Sequence, residues 1–178
     1  MPGYAVALCL AVVLAVGVWI HHDLAHSRQR VAEAWQQVEA LLEHRHGLAY
    51  DLVLYMEQSQ AWDQSVADGV LTAARLAKES HDLATRSRAE NALSAAILTG
   101  FHTIRSSTED KEGLSVYQQE WLMVEEKVVF AKRYYNDVAA SYNARLGRRR
   151  NRMMRRVFGL RPKEIFTYNA RFKVRDRV

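Results

Sequence analysis

The 178-residue chain carries a net charge of +5 and contains only 2 Pro, 8 Gly and 1 Cys. So few breakers, among abundant Ala, Leu, Arg, Glu and Gln, exclude a loop-rich or β-rich fold and predict an all-α protein, and a single Cys excludes a disulfide framework. The charge is uneven: residues 1–147 hold 13 Lys and Arg against 18 Asp and Glu (−5), whereas residues 148–178 hold 12 against 2 (+10). A basic block of this kind meets phosphates or an acidic surface, or is simply solvated.

The first element is apolar. No charge interrupts Tyr4–Ile20, and extension to Leu24 gives a helix of roughly 30 Å, enough to cross the hydrocarbon core. Tyr4 and Trp19 stand where aromatic rings favour the two interfaces, with Leu14 and Val18 in the lipid-facing run between. A cleaved signal peptide would need a basic start, a shorter apolar core and small residues before the cut, and Val18, Trp19 and Ile20 are poor ones. Cys9, inside the apolar run behind Leu8, reads as a buried thiol rather than a lipoprotein cysteine. Arg28 and Arg30 follow the segment and no basic side chain precedes it. Positive-inside reasoning therefore puts the N-terminus outside the inner membrane and the body in the cytoplasm.

Beyond the anchor, apolar positions recur at alternating spacings of three and four, the mark of helices packed along a seam. Val31, Trp35, Val38, Leu42, Leu48, Leu52 and Tyr55 predict a helix over 26–60, with Arg45 in the seam position between Leu42 and Leu48. Val66, Val70, Ala73, Leu76, Leu83, Leu98, Phe101 and Ile104 predict a second helix ending near Ser107, its seam polar at Ser80, Ser87, Asn91 and Ser94. A turn is expected over Ser106–Gly113, with Gly113 free to take a positive φ. The most regular series, Leu114, Tyr117, Trp121, Val124, Val128, Ala131, Tyr135, Val138, Tyr142 and Arg145, predicts a helix over 114–146.

These elements make an N-terminal transmembrane helix followed by an antiparallel up-down-up bundle of long helices. The parts are 1–25 as anchor, 26–147 as bundle and 148–178 as basic tail, and the anchor can run straight into the first bundle helix. Three alternating helices carry the tail to the end away from the anchor, roughly 50 Å from the membrane. On that geometry its own bilayer is a poor partner for the tail.

The run VEEKVVFAKRYYNDVAASYNARL at 124–146, then VFGLRPKEIF at 157–166, resembles the C-terminal signature of the LemA family, and VAEAWQQVEALLEHRHGLAYDLV at 31–53 is similar to that family's first bundle helix. Val31, Trp35, Val38, Trp121, Ala131, Arg133, Tyr134, Tyr135, Asn136, Tyr142 and Asn143 are the motif and core positions concerned. The resemblance implies a membrane-anchored bundle of long helices without established catalytic activity. One branch of the family helps build magnetosome membranes, which suggests membrane organisation as a theme. The chain departs from the family pattern at Tyr50 and Asp51, where Pro and Asn are usual, and at Gly147–Arg156, where arginines replace an apolar stretch.

For chemistry the sequence offers no phosphate loop, nucleophile elbow or zinc pattern, and no enzyme or cofactor is expected. His22 and His26 share a helix face without a third ligand, so no metal is expected either. The basic patch is Arg148, Arg149, Arg150, Arg152, Arg155 and Arg156, interleaved with Met153, Met154, Val157 and Phe158, a mixture suited to an anionic membrane surface. The expected function is a membrane-tethered scaffold or adaptor working through an unidentified protein partner, the lipid bilayer or anionic lipid. A homo-oligomer is compatible with the helices. The alternatives are a tethered nucleic-acid-binding module, for which no motif accompanies the charge, and a small-molecule sensor lined by Tyr117, Tyr135 and Tyr142. Packing is the plainer role for those tyrosines, and Arg133 and Asn136 are expected to satisfy hydrogen bonds between helices.

Overall fold

The computed structural model describes residues 2–58, 63–107 and 111–169. Ser59 and Gln60 of the first expected helix, Thr108–Asp110 of the expected turn and residues 170–178 of the tail lie outside the described residues. All regular structure among the described residues is helical: α1 (Pro2–Gln58), α2 (Gln64–Glu79), α3 (Leu83–Ser107), α4 (Lys111–Gly147), a short 3-10 turn (Arg149–Asn151) and α5 (Arg152–Val157).

The apolar segment does run unbroken into the first bundle helix, since both belong to α1. α4 encloses the expected 114–146 helix, and its seam points inward as the spacing requires, with Leu114, Trp121, Val124, Val128, Tyr135 and Tyr142 buried. Gly113 lies inside α4, so it does not turn the chain. Among the described residues the glycine with a positive φ is Gly159 (φ 59), just past α5.

The middle stretch is where the structure differs. It is two helices, not one. α2 ends at Ser80, whose backbone is extended (φ −73, ψ 120). α3 restarts on Asp82, whose carboxylate accepts the Thr85 N–H at 2.8 Å and so satisfies a donor that the new helix leaves free. Asp63 does the same for α2, accepting from Ser65 N at 3.0 Å and Val66 N at 3.3 Å. The break resets the apolar register: Leu93, Ile97, Phe101 and Ile104 form the buried face of α3, Leu98 is only half-buried and Leu76 is exposed.

The chain forms two compact units, Met1–Trp35 with Tyr134–Ile165, and Gln36–Arg133 with Phe166–Val178. In the second, helices of alternating direction share a core that includes Val38, Leu42, Leu52, Met56, Val70, Ile97, Trp121 and Val128. α2 buries a stripe of small side chains, Ala67, Ala73, Ala74 and Ala77, which permits close approach. At Gly100 of α3 a Cβ would meet Leu52 at 3.5 Å, Val66 at 3.8 Å and Val70 at 3.9 Å, which sets the end of α3 beside the start of α2. Tyr55 and Tyr117, with centroids 5.0 Å apart, do likewise for α1 and α4.

In the first unit α1 and α4 are antiparallel. Trp35 packs on Tyr135 with centroids 5.1 Å apart, and Arg145 near the end of α4 pairs with Asp23 of α1 at 2.6 Å. The extra reversal at 80–82 is what turns α4 antiparallel to α1, and the expected three-helix alternation, with the tail leaving at the far end, is corrected accordingly.

Except at the half-covered Gly17, α1 is exposed from Tyr4 to Trp19, Tyr4 by 84%. It is the helix among those described that is long and apolar enough to cross a membrane. Covering a Val or Leu side chain is worth roughly 1.5–3 kcal/mol, and here Val6, Leu8, Leu10, Val12, Val13, Leu14, Val16 and Val18 are all uncovered.

Candidate functional site

Two sites stand out, one exposed and one buried. The exposed site begins where α4 ends. Asn151 is buried and donates its Nδ2 to the Arg145 carbonyl at 2.8 Å, and Arg148 N reaches the same oxygen at 3.2 Å, which closes the end of α4 and turns the chain into α5. α5 then lies along the apolar part of α1. A Cβ on Gly17 would stand 3.3 Å from the Met154 terminal methyl, and the Phe158 ring rests on His21 with centroids 4.6 Å apart.

Arg148, Arg149, Arg152, Arg155 and Arg156 are exposed around this segment and make no ion pair among the described residues. These five arginines of the basic patch therefore lie beside the apolar helix, and the side chain of Arg150 lies outside the described residues. A groove beside it is lined by Leu24, Ala25, Arg28, Met154, Phe158 and Leu160.

Past Gly159 the chain runs without regular secondary structure through the described residues to Asn169. Asn143 binds it at both edges of one residue, donating to the Lys163 carbonyl and accepting the Lys163 N–H, each at 2.8 Å, while the Tyr135 hydroxyl donates to the Glu164 carbonyl at 2.8 Å. Burial, with the Glu164 charge adding to it, pushes the Tyr135 hydroxyl above the ordinary tyrosine range.

In the second unit the tail continues with the strand period of two, burying Phe166 and Tyr168. Ser87 Oγ accepts from Thr167 N at 3.3 Å, Asn91 Oδ1 from Asn169 N at 3.0 Å, and the Tyr168 carbonyl from Lys132 Nζ at 2.6 Å. Partial burial beside that carbonyl, helped by the neighbouring Arg133, lowers the affinity of the Lys132 amine for its proton.

Tyr168 lands on the second site. Arg45 is fully buried (0% exposed), its guanidinium 5.0 Å from the centroid of Trp121 and 4.9 Å from that of Tyr168. It donates to Glu90 Oε2 at 2.9 Å, to the Glu90 carbonyl at 2.8 Å and to Ser94 Oγ at 2.7 Å, and its Nε lies 3.3 Å from Glu125 Oε1. His46 Nε2 is 2.9 Å from the other Glu90 oxygen. The Tyr168 hydroxyl donates to Glu125 Oε2, and Ser94 Oγ donates to Glu125 Oε1 at 3.0 Å.

Two carboxylates thus surround one guanidinium, each satisfied by further donors, which is the condition under which a buried charge is tolerated. Burial drives the Tyr168 hydroxyl far above the ordinary tyrosine range. The cluster is a bolt: it fastens α1, α3, α4 and the tail.

The motif positions divide accordingly. Val31, Val38, Trp121, Tyr135 and Tyr142 are buried, Trp35 and Ala131 partly so, and Tyr135 and Asn143 grip the tail. Arg133 and Tyr134 are exposed, and among the described residues Arg133 makes no hydrogen bond to another helix. Asn136 is half-buried.

His46, Glu90, Glu125, Asn151 and Tyr168 escape the sequence reading. Glu90 could have been found, because Ser87, Glu90, Ser94, Ile97, Phe101 and Ile104 alternate three and four and place a carboxylate in a seam facing Arg45. Among the described residues no three His, Cys, Asp or Glu are placed to share a metal. Tyr142 lines a groove with Ser27, Asp137 and Arg145.

A helical bundle whose motif residues clasp its own tail is the class of protein that fold and sites define. A model of the LemA family matches residues 34–178, and the chain belongs to that family, which is not known as a family of enzymes. No curated protein matches the chain.

Proposed function

We propose that this protein is a membrane-tethered helical scaffold or adaptor of the LemA type, held in the inner membrane by Tyr4–Leu24 with its bundle in the cytoplasm, and acting by contact with other proteins rather than by catalysis. The observation that carries the tether is the bare apolar surface of α1 between Tyr4 and Trp19, which water disfavours and hydrocarbon does not. A helix of a soluble core would be covered, and this one is not.

The orientation gains support from α5. Arg28 and Arg30 are joined at this end of the span by Arg148, Arg149, Arg152, Arg155 and Arg156, whose segment packs there through Met154 on Gly17 and Phe158 on His21. The same placement favours lipid over nucleic acid as the neighbour of those arginines. The adaptor role is supported by the buried polar groups of Arg45, Glu90, Glu125 and Tyr168, which are engaged in holding helices and tail together.

Membrane flotation after alkaline extraction tests the tether: the protein stays with the lipid, and release into the supernatant overturns the proposal. Protease added to inverted inner-membrane vesicles digests the bundle, whereas spheroplasts protect it; the reverse pattern overturns the orientation. Crosslinking in native membranes recovers a discrete protein partner, and recovery of lipid alone sinks the adaptor role.

A further inference from the structure

We infer that α5 is a lipid-binding collar: Arg152, Arg155 and Arg156 engage the phosphate groups of anionic lipids in the leaflet where α1 leaves the membrane, while Met153 and Val157 enter that leaflet's acyl region. The inference deepens the membrane-tether reading and rests on it.

The argument starts from the helical period. At 100° per residue Met154 and Phe158 share one face, Met153 and Val157 lie beside it, and Arg152, Arg155 and Arg156 occupy the opposite arc. The first face is spent on α1, at Gly17 and His21. The second is open: Met153 is 76% exposed and Val157 66%, and Phe158, although it touches His21, keeps 49% of its surface free.

That open apolar edge adjoins the open apolar surface of α1, and the arginines rim it. A helix with one apolar edge and one cationic edge settles at the boundary of headgroups and acyl chains.

The depth agrees. Gly17 lies three residues, roughly 4.5 Å, inside the Ile20 end of the charge-free run, within the roughly 5–10 Å to which interfacial helices sink. Arginine suits the ligand, because its planar fork binds phosphate oxygens in pairs. No carboxylate among the described residues neutralises these three side chains, so the charge is available to lipid.

The experiment uses the full chain reconstituted in vesicles of phosphatidylcholine mixed with phosphatidylglycerol, with either lipid brominated on its acyl chain to quench the anchor tryptophan, Trp19. The wild type is quenched more strongly by brominated phosphatidylglycerol, and the preference weakens with salt. The variant carrying Arg152→Gln, Arg155→Gln and Arg156→Gln stays in the vesicles and loses the preference, by roughly fivefold per arginine removed.

Equal quenching of the wild type by the two lipids overturns the collar and leaves the tether standing. Absence of quenching by either lipid overturns both. A preference undiminished in the triple variant places the lipid elsewhere and overturns the assignment to α5.

Discussion

Arg45 and the arginines of α5 are the same residue in opposite surroundings. Arg45 has no exposure, two carboxylates, a serine and two aromatic faces, whereas Arg152, Arg155 and Arg156 are exposed and answer to no acid among the described residues. The first is held because every alternative leaves a charge in a dry interior. The second group is open to solvent, and on the proposal above its partners are lipid phosphates. A count of basic residues therefore says little about role, and the decisive quantity is what the fold supplies around each guanidinium.

The comparison breaks most sharply at Arg45. Arg45→Met removes the cation and leaves Glu90 and Glu125 facing each other in the core, which costs about 3–5 kcal/mol in unfolding free energy measured by denaturant titration. The arginine-to-glutamine changes in α5 should leave that free energy close to wild type, because no internal pair is lost. Equal losses at both places would erase the distinction.

Next comes Tyr168→Phe, which keeps the ring over Arg45 but takes the hydroxyl from Glu125, at about 1.5–3 kcal/mol for a hydrogen bond to a buried charge. Because burial raises the folded tyrosine above its ordinary value of 10.0, the stability it contributes is complete below that value and is lost as pH rises beyond it. The wild type should lose stability steeply in that alkaline range and the Phe variant less steeply, as followed by thermal melting.

The smallest effect concerns the caps. The Thr85 side-chain and backbone hydrogen bonds hold the Asp82 carboxyl below its ordinary value of 3.8, and those of Ser65 and Val66 do so for Asp63. A lowered folded value means stability that is present above about 3.8 and is lost as pH falls through the folded value. Asp82→Ala should reduce the melting temperature slightly at neutral pH and flatten the acid side of the profile.

Much of this was legible in the sequence. Helix α4 could be read because its seam keeps step for ten positions, and α1 because nothing between Pro2 and Gln58 breaks it. The break at Ser80–Asp82 stayed hidden for a definite reason: Leu76 and Leu83 are seven residues apart, a full heptad, so the apolar stripe crosses the turn without losing phase. Ser80 then reads as a polar seam position rather than as a helix end, and the cap at Asp82 goes unnoticed. That one reversal decides where the basic segment comes to rest.

Arg45 was visible as a charge in a seam. Its partners were not, because Glu90, Glu125 and Tyr168 lie 45, 80 and 123 positions away and no local period links them to it.

The bolt also imposes an order on biosynthesis. Tyr168, which completes the cover over Arg45, is made 123 residues after it. At roughly 5–20 residues per second, Arg45 waits on the order of ten seconds for that ring while the apolar N-terminal segment is already outside the ribosome. During that interval the nascent chain is a helical body with an unsealed charge at its centre, and a chain cut short before Tyr168 stays in that state, open to chaperones and proteases.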